Sequence, residues 1–110
     1  MKTIYEHNIS NAMFLNYINK LTDRFFKILP LKEEGCTTLN IYMRKLQSEL
    51  LGSKKLVLVL NDDECFLSLI AILQFLMDND CSIEQTKEEV FEAIYLCEKI
   101  QSKYAGDFNE

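Results

Sequence analysis

Residues 65–77 read Cys65-Phe66-Leu67-Ser68-Leu69-Ile70-Ala71-Ile72-Leu73-Gln74-Phe75-Leu76-Met77, and this stretch decides the fold. Eleven of its thirteen residues are apolar, Ser68 and Gln74 being the exceptions. It is too short to cross a bilayer, which takes about 20 residues. A helix that is apolar nearly all round must be covered nearly all round. At roughly 100° per residue, Ile72, Cys65, Leu76, Leu69, Leu73, Phe66, Met77 and Ile70 fill one broad arc that can face other helices. Leu67, Ala71 and Phe75 lie outside it, bracketed by Ser68 and Gln74. Two covers are available for that outer strip: the apolar residues 56–60, or a second chain. Small Ala71 between two large residues lets a partner helix approach. An unpartnered apolar strip is often an interaction site, and a two-fold homodimer is the commonest form of such a contact.

Three further helices are expected around this one. Phe14, Tyr17, Ile18, Leu21, Phe25 and Ile28 recur at spacings of three and four, which predicts a helix over 11–29. Ser10 or Asn11 can cap its start, and Pro30 is expected to end it. A loop around Gly35 follows. Leu39, Tyr42, Met43, Leu46 and Leu50 predict a second helix over 38–51, with Gly52 as its left-handed stop. Residues 56–60 read as a helical turn or an extended connector, since a lone strand has no partner. Asn61 with Glu64 is the expected cap of the third helix, over 62–78. Ser82 with Gln85 forms a capping box for the fourth, over 83–104, whose inward stripe includes Ile83, Val90, Ile94, Cys97 and Tyr104. The expected fold is all-α, a compact single-domain bundle of four principal helices spanning 1–110, with 1–10 a lead-in and 105–110 a frayed end.

The 110 residues carry a formal net charge of −5, unevenly spread. Residues 1–60 hold nine basic and five acidic side chains, and residues 61–110 hold three and twelve. A phosphate-binding protein needs a basic surplus on some face. The cluster Arg44, Lys45, Lys54 and Lys55, with Tyr42 nearby, is the only contender. It is followed by an apolar helix that cannot read bases, so nucleic acid is not the expected partner. The N-terminal segment MKTIYEHNIS has no apolar core after Lys2 and is not a signal peptide. Cys36, Cys65, Cys81 and Cys97 form no CxxC pair and read as two core thiols and two loop thiols, in keeping with a reducing cytoplasm.

Chemistry-bearing patterns are thin. His7 is the single histidine, and zinc wants several N or S ligands at short spacings. Asp78, Asp80, Ser82 and Glu89 match four positions of a calcium loop, but Ile83 stands where the sharp turn needs glycine. Cys36 beside Gly35 is the one candidate exposed thiol, with no positioned base in view. Asp62-Asp63-Glu64 and Glu88-Glu89 are paired carboxylates, expected to be solvated and so unsuited to acid–base work. Neither a glycine-rich nucleotide motif nor a P-loop occurs. No metal or cofactor is expected. Glu84, Glu88, Glu89 and Glu92 form an acid row on the last helix, a candidate acidic binding face.

Three blocks together, RFFKILPLKEE at 24–34, LQSELLG at 46–52 and residues 61–75, resemble small uncharacterised helical proteins of low-GC Gram-positive bacteria and their phages or mobile elements. Abundant Lys, Ile and Asn with scarce Ala suit an AT-rich genome of that kind. The resemblance implies a bacterial or phage setting and carries no site. The expected function is a small cytoplasmic, non-enzymatic, protein-binding helical module, homodimeric through Leu67, Ala71 and Phe75. The alternative is an acidic phage-type inhibitor of a host nucleic-acid-binding defence enzyme, using Glu84, Glu88, Glu89 and Glu92. A small DNA-binding regulator is a further alternative.

Overall fold

A computed structural model describes Thr3 and residues 9–104. His7, most of the expected lead-in and the expected frayed end lie outside the described residues. The chain is an all-α bundle: α1 (Asn11–Phe26), α2 (Ile28–Glu33), α3 (Leu39–Leu56), α4 (Leu58–Asn61), α5 (Glu64–Asp78) and α6 (Ile83–Tyr104). Among the described residues the one extended pairing is an isolated bridge between Thr3 and Val57.

The four long helices form a ring. α1 packs on α6, α6 on α5, and α5 on α3. Side chains close the ring between α3 and α1. Tyr17 and Ser53 share a hydroxyl hydrogen bond of 2.6 Å. Tyr42 donates to the Arg24 carbonyl at 2.9 Å, and Arg24 pairs with Glu49. Inside the ring, Phe25, Phe66, Ile18, Leu21, Leu50, Leu69, Leu73 and Ile100 are fully buried in one continuous core.

Three boundaries differ from those the residues predict. Pro30 does not end α1. It stands third in α2, within the first turn, where its missing N–H leaves no intrahelical bond unmade. Its effect falls one turn earlier, because the ring crowds the carbonyl four residues back, that of Phe26, and the helix breaks at Lys27. Gly35 is the true stop: at φ 65° it ends α2. The Gly35 N–H bonds to the Lys32 carbonyl and that of Cys36 to the Leu31 carbonyl, the paired bonds of a Schellman end.

Gly52 is no stop either. It sits inside α3, which runs on to Leu56 and ends where Val57 turns extended. Glycine permits a left-handed turn without requiring one. A Cβ at Gly52 would meet nothing within 4 Å. Gly52→Ala should therefore stabilise the protein by about 1 kcal/mol, the helix-propensity difference. A rise in the urea midpoint at unchanged slope is the check.

At the start of α5 the cap is Asp63, not Asn61. Its carboxylate accepts from the Phe66 N–H at 3.0 Å. α6 begins as expected, with the Ser82 hydroxyl accepting from the Gln85 N–H at 3.1 Å. Ile83, expected inward, is exposed, because burial on α6 starts only at Thr86. The connector over 56–60 is part extended and part helical, burying Val57 and Leu60.

Candidate functional site

α5 turns Cys65, Phe66, Leu69, Ile72, Leu73 and Leu76 inward. Leu67, Ala71 and Phe75 stay outside, Leu67 at 39% and Phe75 at 37% exposure. The connector residues 56–60 leave this strip uncovered. The strip's two edges differ. On the α3 side, the Gln47 amide donates to the Ile70 carbonyl at 3.3 Å and to the Gln74 side chain at 3.0 Å. On the α6 side lies a groove of about 320 Å³. Ala71, Ile72, Phe75 and Leu96 make its apolar wall, and Glu89 and Glu92 its acidic one. The outer strip and part of the acid row thus meet in one surface feature. Glu84 and Glu88 lie farther round α6, exposed to solvent. Leu67 lies outside the groove, one turn along α5.

The acidic triplet 62–64 splits by environment. Asp62 and Glu64 are exposed, whereas Asp63 is 5% exposed. Its second carboxylate oxygen accepts from Lys103 at 2.9 Å and from the Tyr104 hydroxyl at 2.6 Å. Burial alone would push the Asp63 carboxyl up. The bonds from Tyr104, Lys103 and the Phe66 N–H outweigh it and hold the group below the usual carboxylate range. Solvation therefore does not govern Asp63, contrary to the expectation for that triplet. The residue locks the start of α5 to the end of α6. An apolar run beginning two residues after an aspartate was the only local signal for it.

A second cleft, about 400 Å³, lies between the α2–α3 turn and the α5–α6 turn. Cys36 and Cys81 both line it. The Cys36 sulfur is 3.1 Å from the Thr38 hydroxyl, and that bond lowers the thiol's pKa. A hydroxyl is no general base, so this arrangement does not build the nucleophile–base pair that acyl chemistry needs. Cys81, expected as a loop thiol, is buried. Burial pushes the Cys97 thiol up to about 11, despite a hydrogen bond from Thr22. All four cysteines are free.

The four residues of the calcium-like pattern are engaged separately. Asp78 accepts from Gln74 at 3.0 Å, Asp80 faces Lys32 at 3.8 Å, Ser82 caps α6, and Glu89 borders the α5–α6 groove. Among the described residues, no three His, Cys, Asp or Glu side chains converge as metal ligands. The basic cluster is also divided. Lys54 bonds to Asn61 at 3.1 Å, while Arg44, Lys45 and Lys55 are exposed on α3. Among the described residues no helix is long and apolar enough to cross a membrane. No protein-family model, curated protein or solved structure matches the chain.

Proposed function

We infer that this chain is a non-enzymatic protein-binding module of the cytoplasm whose binding face is the outer strip of α5 with the groove beside it. One observation carries the reading. The helix that supplies the centre of the core also exposes Leu67 and Phe75, with a small alanine between them and, alongside, a groove with one apolar wall. Exposed apolar side chains grouped on one face mark an interaction site, and the small residue between them leaves room for another helix to approach. Free thiols suit a reducing compartment.

The test is photo-crosslinking in cells, with a benzophenone amino acid at Leu67 and, as control, at Asn16 on the exposed side of α1. A discrete adduct from position 67 and none from position 16 is expected. Equal patterns at the two positions, blank lanes included, overturn the reading.

Glu89 and Glu92 on the groove wall favour one other reading, an acidic inhibitor that occupies a basic cleft of a nucleic-acid-binding enzyme. It requires that the adduct from position 67 vanish when Glu88, Glu89 and Glu92 become Gln, and survive Phe75→Ala. The module reading requires the reverse order of sensitivity.

A further inference from the structure

Toward its Phe75 end the strip on α5 is bordered by opposite charges, a pattern that bears on what covers it. Gln47, bonded to Ile70 and Gln74, marks the edge of α3 nearest α5. Arg44 and Leu51 lie three residues before and four after it, on the same stripe turned outward, and both are exposed. On the other edge stand Glu89 and Glu92. Beside the Phe75 half of α5, the α3 border is therefore cationic, the α6 border anionic and the middle apolar, whereas beside the start of α5 the α6 border carries Lys99. Among the described residues neither Arg44 nor Glu89 makes an ion pair.

The two charges also share a height. α3 and α6 both run antiparallel to α5. Leu39 and Asn40 share a cleft with Met77 and Asp78, and Asp63 binds Lys103 and Tyr104. Arg44 is one turn nearer the start of α3 than Gln47, beside the Gln74–Asp78 end of α5. Glu89 borders Phe75, at that same end.

We propose that the occupant is a second copy of this chain, packed α5 against α5 about a two-fold axis running along α5. Such an axis exchanges the two borders. Arg44 of each copy then meets Glu89 of the other, while Leu67, Ala71 and Phe75 meet their own counterparts. An axis across α5 would instead set α6 against α6, acid against acid. A stable dimer hides about 800 Å² on each copy, more than one helix stripe supplies. The flanks, Leu51 included, are therefore part of the contact. This proposal rests on the protein-binding reading and names its partner.

The experiment is light scattering with sedimentation analysis of the wild type, Arg44→Glu, Glu89→Arg and the double variant. A wild-type dimer is expected. Each single reversal turns two attractive pairs into two repulsive ones and should weaken dimerisation about tenfold. The double variant should restore it, and helical circular dichroism should be the same in all four. Phe75→Glu should be monomeric and folded. A wild type still monomeric at about 1 mM chain overturns the proposal. So do reversals that leave the dimer unchanged or tighten it, and a double variant as weak as the singles. A monomer that still gives a crosslink from position 67 to another protein removes the second copy and leaves the binding module standing. A monomer with no adduct removes both.

Discussion

Replacing Phe66 with alanine should destabilise the protein by about 4 kcal/mol, within the range for emptying a fully buried phenylalanine site. Phe66 has no exposed surface and is among the largest side chains of the shared core. The helices around it are held by several independent contacts, so the bundle can close only partly over the void. Domains of this size have about 5–15 kcal/mol in hand. The variant should therefore unfold at a much lower urea concentration, with an unchanged slope. Its neighbour separates the two duties of α5. Leu67 is 39% exposed, and Leu67→Ala should change folding by less than about 1 kcal/mol. The crosslinking and dimerisation phenotypes should follow Leu67 and not Phe66. A Phe66→Ala protein as stable as the wild type would mean that the core is not packed as described.

Asp63→Ala should destabilise by about 2–3 kcal/mol, combining a lost helix cap with the loss of a buried, hydrogen-bonded carboxylate. Lys103 is 44% exposed in its side chain and can return to water, which keeps the loss below that of a buried charge left stranded. Asp63→Asn keeps an acceptor for the Phe66 N–H and should lose less. The pH dependence has a definite sign. The folded Asp63 carboxyl titrates below its unfolded value of about 3.9. Its contribution is present above that pH and is lost as pH falls through the folded pKa. Lys103 is held above its ordinary value by its hydrogen bond to Asp63. That part persists below the unfolded lysine pKa and fades as pH rises through the folded one. Urea titrations across pH 3–7 should show the wild type losing more stability than Asp63→Ala on acidification. Parallel curves would mean that the carboxylate is not held as described.

The readable parts of the fold are those written in local periodicity. The strip on α5 follows from the angular placement of Leu67, Ala71 and Phe75, and α6 starts where Ser82 can reach Gln85. What escaped is non-local or conditional. Pro30 acts through the Phe26 carbonyl, a turn upstream of itself. Gly52 lies in a helix that its flanking residues continue, so a permissive residue does not act as a stop. Asp63 owes its burial to Lys103 and Tyr104, about forty residues away, which no window around residue 63 reveals. The acid row was legible as a row. The half-burial of Glu89 against Phe75, which separates it from Glu88, depends on how α5 and α6 dock.

α6 touches α1, α2 and α5, so the last helix of the bundle is also the one that joins the others. During synthesis the ribosome delivers the helices in the opposite order of need. Until α6 is also out of the ribosome, the core around Phe25, Phe66 and Leu73 lacks one of its walls. At about 5–20 residues per second, translating the 22 residues of α6 adds roughly one to four seconds to the time before that wall can dock. An apolar helix such as α5, left without that wall, is the kind of transiently exposed surface that makes folding intermediates prone to aggregate.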